Sequence, residues 1–204
     1  LAFLAELQAH NDRDWFNAQR DRYEAHVLHP SRAFIAEVSD RLSAKLGRPV
    51  EGRLYRMARD LRFSKDKTPY NVHVHIGFIE AGPAIWMVGF EPGRFALGYG
   101  AFTFQPEPLS RWRAAAAAPS GVALAQMLDR LTHRGLRLSE PELKRVPAPH
   151  PADHPRAALL RHKSLTAWED RLPMTTLYGP DAPARIAEAL KVFTPLRDWM
   201  TTHL

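Results

Sequence analysis

The sequence predicts an α+β fold: an antiparallel β-meander of about four to five strands, flanked by N-terminal and C-terminal helices. Three observations predict it. Residues 1–47 carry helical hydrophobic spacing, residues 53–104 switch to short β-rich runs, and helical spacing returns over 109–203. Helices before and after a block of strands, without βαβ alternation, argue for segregated elements in one domain, 1–204. The strand-like runs are separated by Ala81-Gly82-Pro83 and Glu91-Pro92-Gly93. Such turns are too short for a parallel crossover, so consecutive strands must pair antiparallel.

Leu1, Phe3, Leu4, Ala5 and Leu7 make a short amphipathic helix. Asn11 or Asp12 can cap the next, because a short polar side chain accepts the free amides of a first helical turn. Trp15, Phe16, Gln19, Tyr23 and Val27 continue that helix, and Trp15, Phe16 and Trp112 read as packing residues. The His29-Pro30 step is expected to end the helix, with Ser31 capping a third one that buries Phe34, Ile35, Val38, Leu42 and Leu46. Gly47 sits where a helix C-cap takes positive φ. Leu54–Ala58 reads as the first strand. In Val72–Glu80, Val72, Val74, Ile76 and Phe78 alternate with His73, His75, Gly77 and Ile79, so one face is buried. Ala84–Phe90 and Phe95–Phe104 complete the meander.

Pro106 and Pro108 introduce a helix over Leu109–Ala118, and Pro119 stops it. The alanine run Ala114–Ala118 suits close helix packing. A helix over Val122–Thr132 ends at Gly135. Leu143–Pro147 and Leu172–Leu177 are candidate strands. Pro155–Leu165, Asp181–Phe193 and Leu196–His203 read as helices. Between them, Pro147–Pro155 holds four prolines in nine residues and reads as an ordered loop.

Composition narrows the function classes. With 45% hydrophobic and 25% charged residues the chain resembles a soluble globular protein. No apolar run approaches the roughly 18 residues of a membrane span, so no membrane partner is expected. The start, LAFLAELQAHN, lacks a basic leading region and reads as helix rather than signal peptide. Zero cysteines exclude disulfides and thiolate metal sites, and fit a cytoplasmic location. The net charge is +6, from 22 Arg and 6 Lys against 22 acids. Of that excess, +4 lies in Arg53–Asn71, leaving +2 for the remainder. A basic excess this local makes nucleic acid the lesser reading and a small anionic ligand the leading one.

The candidate site is the loop that follows. Ser64, Lys65, Asp66, Lys67, Thr68 and Tyr70 place two ammonium groups and two aliphatic hydroxyls within five residues. Arg56, Arg59 and Arg62 add fork-shaped donors that match phosphate or carboxylate. The loop has no glycine and no Gly-Lys-Ser/Thr ending, so it is not a nucleoside-triphosphate loop. The competing reading is a structural ion network, Arg59-Asp60 with Arg62-Asp66. His73 and His75 have the spacing of two metal ligands, with His150, Asp153 and His154 as third candidates. Paired histidines on the polar face of a strand are more simply exposed, and no metal is expected. Ser64, His154 and Asp153 can be written as a triad, but no nucleophile elbow is present. Asp60 and Glu91 are the candidate general bases, with Lys65 and Lys67 placed to stabilise developing negative charge, if the protein is an enzyme.

These residues also resemble a known family. Arg56, Arg59, Asp60, Arg62, Phe63, Ser64, Lys65, Asp66, Lys67, Thr68, Pro69 and Tyr70 are similar to the central motif of a bacterial family catalogued as domain of unknown function 2461. That motif ends in a lysine where this chain has Asn71. Supporting similarities run from Asn11, Trp15, Phe16, Arg20 and Tyr23, through Gly98, Gly100, Pro106, Leu109 and Arg113, to Leu143–Pro147, Asp153–Pro155, Leu159, Leu160 and Lys163. Ala148-Pro149 stands where the family tends to carry glycine. The resemblance implies membership and no assigned activity, cofactor or substrate. Arg53, Asn71, His73 and His75 lie outside the motif.

The expectation is therefore one basic cleft that binds a phosphorylated small molecule or nucleotide. The meander forms its floor and the Arg59–Tyr70 loop its rim, with Lys144, Arg145, His154 and Lys163 closing it from the C-terminal half. The alternative is a non-catalytic interaction protein whose Arg/Lys/Asp motif is a structural network. Reaction, cofactor and oligomeric state are left open.

Overall fold

The computed structural model describes all 204 residues. Its first half runs α1 (Ala2–Ala9), α2 (Arg13–Ala18), α3 (Arg20–Tyr23), a π-helical turn (Glu24–Leu28), α4 (His29–Leu46), β1 (Glu51–Leu54), β2 (Val74–Ile79), β3 (Ile85–Glu91) and β4 (Arg94–Ala101). The second half runs α5 (Pro106–Ala117), α6 (Ser120–His133), β5 (Arg137–Leu138), α7 (Ala157–Leu160), β6 (Leu165–Glu169), a 3-10 turn (Met174–Leu177), α8 (Ala182–Ala189), a second 3-10 turn (Leu190–Phe193) and α9 (Thr194–His203).

The fold is α+β, with strand order β1-β2-β3-β4-β6-β5. The first four neighbours follow chain order, as a meander requires. Pro92-Gly93, with Gly93 at φ 81, joins β3 to β4 in a two-residue turn that forces antiparallel pairing. The strand count is six rather than four to five, and the added strands lie in the C-terminal half. The first strand is Glu51–Leu54 rather than Leu54–Ala58, where only Ala58 makes an isolated bridge. Leu143–Pro147 is not a strand: the Leu143 amide meets the Arg161 carbonyl as a single bond without a ladder. Leu172–Leu177 is not one either, because Pro173 leads into a 3-10 turn. The helix expected over Pro155–Leu165 stops at Leu160. Glu142 then bonds the Lys163 amide and the Ser164 hydroxyl, turning the chain into β6. β6 pairs antiparallel with β4 and with the two-residue β5.

The chain divides into two compact units. The first holds Leu1–Ile79, Met87–Ala96 and Arg171–Glu188. Its core includes Phe3, Leu4, Leu7, Phe16, Val38, Leu42, Ile76 and Phe78. Asp12 caps α2 by accepting from the Trp15 amide at 2.8 Å. The His29-Pro30 step does not end the helix, because Pro30 falls in the first turn of α4, directly after the π-helical turn, where its missing amide is tolerated. Ser31 is accordingly buried within the helix rather than capping it. Gly47 closes α4 at φ 65, its amide donating to Ser43. α4 packs directly on β1: a Cβ on Gly52 would lie 2.2 Å from Ile35 Cγ2. Glycine here lets helix and strand approach.

The second unit holds Glu80–Trp86, Leu97–Asp170 and Ala189–Leu204. Trp112 is its fully buried centre. The indole donates to the Leu159 carbonyl at 2.9 Å and meets Trp199 edge-on, 5.5 Å between ring centroids. Close α5–α6 packing uses the alanine run: Ala116 is fully buried, and a Cβ on Gly121 would collide with its carbonyl.

Candidate functional site

The Arg56–Tyr70 motif lies in the first unit as a loop closed at its neck by main-chain bonds. The Arg59 amide donates to Pro69 O at 2.9 Å and the Asn71 amide to Met57 O at 2.8 Å, around an Ala58–Tyr70 bridge. Asn11 and Phe16 hold Tyr70 from the helical side. Asn11 bonds its backbone in both directions, and the Phe16 ring stacks on the tyrosine at 4.0 Å.

Inside the loop most charges are paired. Arg59 Nη1 donates to Asp66 Oδ2 at 2.5 Å, to the Thr68 carbonyl at 3.1 Å and to the Thr68 hydroxyl, while Nη2 reaches Ser64 Oγ at 3.3 Å. The Thr68 amide donates to Asp66 Oδ1 at 2.9 Å. That amide, with the Arg59 guanidinium and the Thr68 hydroxyl, pulls the Asp66 pKa down to about 2. Arg62 grips Asp60 through Nη2 at 2.6 Å and Nε at 3.0 Å. This contact, with the Arg62 amide, lowers the Asp60 pKa and makes the carboxylate a weaker base. Lys67 Nζ donates to the Leu61 carbonyl at 3.1 Å. The ion pairs of the loop are therefore Arg59 with Asp66 and Arg62 with Asp60, not Arg59 with Asp60 and Arg62 with Asp66. Lys65 and Phe63 stand exposed beside it.

Arg56 is different. It has no carboxylate within ion-pair distance, and it lines a cleft of about 570 Å³ with Tyr23, Arg32, Arg53 and Tyr55. Arg32 and Arg53 have no acid partner either, and Arg53 stacks over the Tyr55 ring at 5.4 Å. α4 supplies Arg32, and β1 with the residues just after it supplies Arg53, Tyr55 and Arg56. No acidic residue lines this cleft. Sequence reasoning missed Arg32 and set Arg53 aside. The only available signal was the Arg53-x-Tyr55 alternation, which puts both side chains on one face of a strand. A second, apolar cleft of about 620 Å³ is lined by residues such as Leu4, Val27, Phe34, Ile76 and Phe90, and lacks such a cation cluster.

The remaining candidates have other surroundings. Glu91 is half-buried, 3.7 Å from Arg94. His73 and His75 stack at 4.0 Å, and burial lowers both pKa values while Glu91 opposes the shift. Lys144, Arg145, His154 and Lys163 belong to the second unit. There, Lys144, Arg145 and Lys163 are exposed, and His154 Nδ1 accepts from the Arg156 amide at 3.0 Å.

Fold and cleft together define an α+β protein with an antiparallel sheet and a cluster of unpaired arginines beside its first strand. The chain belongs to the family described as "Conserved hypothetical protein (DUF2461)", which matches it over residues 1–199. No curated protein matches it. No helix is long and apolar enough to cross a membrane.

Proposed function

We propose that this protein binds a phosphorylated ligand in the basic cleft of its first unit, with Arg32, Arg53 and Arg56 as the anion contacts. One observation carries the proposal: Arg32, Arg53 and Arg56 line one concavity and none of them forms an ion pair with a carboxylate. Unpaired arginines with fork-shaped donors suit a dianion. The volume, about 570 Å³, is in the range of small-molecule sites, so a phosphorylated metabolite or nucleotide is the first class to test. Tyr23 and Tyr55 would line the ligand's less polar part. The loop charges then have a structural role, favoured by the Arg59–Asp66 and Arg62–Asp60 pairs. A bacterial cytoplasmic setting is part of the proposal, supported by the family resemblance and by the lack of cysteine.

A thermal-shift screen against phosphorylated metabolites and nucleotides tests it, since a ligand that binds only the native state raises the melting temperature. Arg53→Ala and Arg56→Ala should abolish the shift, whereas Lys65→Ala and Lys67→Ala should keep it. A shift that survives in Arg53→Ala and Arg56→Ala but is lost in the lysine variants would move the site to the loop. No shift with any ligand would end the proposal.

A further inference from the structure

We infer that the phosphorylated group recognised by this cleft is carried on a peptide that binds in extended form, as an added strand on the open edge of β1. The inference rests on the anion-binding reading above and adds the class of partner.

The geometry comes from hydrogen-bond parity. β1 is an edge strand. Its register pairs Arg53 with Gly77 and Leu54 with Ile76, and the Tyr55 amide donates to the His75 carbonyl at 2.9 Å. In an antiparallel pair, residues alternate between those that exchange both main-chain bonds with the partner and those whose amide and carbonyl point away. Tyr55 belongs to the bonded set, and so does Arg53, two residues earlier. Gly52 and Leu54 therefore direct their amides and carbonyls outward. Neither has a main-chain partner on that side.

Those outward groups open onto the arginine cleft. Gly52 and Leu54 line it together with Ile35 and Ala36 of α4. A groove between an edge strand and a helix is the setting in which an extended peptide adds to a sheet, with main-chain bonds for affinity and alternate side chains for specificity. Gly52 and Leu54 offer four main-chain groups to such a strand. Side chains of the added strand would alternate between the two faces. Those on the α4 side meet Arg32, and those on the opposite side meet Arg53 and Tyr55. Anionic groups thus find an unpaired guanidinium on either face. A free phosphorylated metabolite would use the arginines and leave the strand edge unused.

The test uses the full chain and fluorescence anisotropy with three labelled heptapeptide pools. They alternate valine with phosphoserine, with aspartate, or with lysine; free phosphoserine and inorganic phosphate serve as competitors. The phosphoserine pool should bind at least tenfold more tightly than free phosphoserine, and the lysine pool should not bind. Arg32→Ala and Arg56→Ala should each weaken binding by about tenfold, the loss of one charge-assisted contact. The tightest peptide is then N-methylated at successive positions. Strand addition predicts loss of binding at two positions two residues apart, whose amides meet the Gly52 and Leu54 carbonyls, and retention at the position between them, with no change to the protein. Uniform tolerance of N-methylation, or no pool exceeding free phosphoserine, would overturn the peptide inference. If phosphate or phosphoserine still binds and Arg56→Ala removes it, the anion site stands alone. If no anion binds at all, both readings fall.

Discussion

Asn11 holds Tyr70 by its backbone across 59 residues of chain: Asn11 Nδ2 donates to the Tyr70 carbonyl at 2.8 Å, and Asn11 Oδ1 accepts from the Tyr70 amide at 3.1 Å. A side-chain amide here replaces one step of a β-ladder and ties the end of the basic loop to the start of α2. Asn11→Ala would leave a part-buried amide and carbonyl without partners. Such losses cost about 1–3 kcal/mol, and urea unfolding should show that loss. Asn11→Asp keeps the acceptor but sets a carboxylate against the carbonyl, so it should not rescue. A cost below about 0.5 kcal/mol would mean that water replaces both bonds.

The loop has a pH signature of its own. Asp66 titrates at about 2, below its ordinary 3.8. A depressed carboxylate supports the folded loop fully above the unfolded value, and that support is lost as the pH falls through about 2. Carboxyl NMR titration should place the Asp66 midpoint near 2. Thr68→Val removes the hydroxyl contact and should raise the midpoint, and Arg59→Ala should raise it too. An Asp66 midpoint near 3.8 in the wild type would show that the network does not hold in solution.

Which parts were legible follows from the range of the forces involved. Gly47, Asp12 and Pro92-Gly93 act within a few residues, and each appears in the expected role. The alternation over Val74–Phe78 reflects burial of one strand face, and the structure buries Val74, Ile76 and Phe78. Pro30 misled because a π-helical turn upstream changes what a proline costs, and nothing in the local pattern announces that turn. β5 is two residues long and exists only because β6 pairs with it. The cleft was half legible. Arg56 stood in the motif, but Arg32 comes from a helix whose packing on Gly52 is a tertiary event.

Three half-buried or buried histidines should make stability fall in mild acid. Burial is the leading cause of the lowered pKa of His73, His75 and His162, against an ordinary 6.5. Between 6.5 and the lower folded values the unfolded chain binds more protons. Their contribution is therefore full above 6.5 and is lost as the pH drops through the folded values. Urea midpoints should decline from pH 7.5 to 5. His162→Phe combined with His73→Asn and His75→Asn should flatten that decline. An unchanged slope would assign it to other groups.

Arg197 and Glu80 form an enclosed ion pair in the second unit. Arg197 Nε donates to Glu80 Oε2 at 2.9 Å, Nη2 donates to the other carboxylate oxygen, and Nη1 donates to Asp198 at 2.8 Å. The Glu80 side chain is 3% exposed and that of Arg197 is 13% exposed. Solvent therefore screens this pair far less than the paired charges of the loop, where Arg62 is 77% exposed. Removing one member of a buried pair costs about 3–5 kcal/mol, because the other is left in a poorly solvated place, whereas replacing both with apolar groups of similar size costs little or can stabilise. Arg197→Met should accordingly lose several kcal/mol in urea unfolding, and Arg197→Met with Glu80→Leu should recover most of it. Arg62→Met should cost no more than about 1 kcal/mol, as exposed pairs do. The neighbouring Tyr99 supplies a spectroscopic check. Its hydroxyl pKa is raised mainly by burial, with Glu80 adding to the shift and Arg197 opposing it. Losing the guanidinium should raise it further, and the double variant should bring it back down. A Tyr99 titration that moves with neither substitution would detach the tyrosine from the pair, and equal costs for Arg197→Met and Arg62→Met would mean that burial does not set the strength of these contacts.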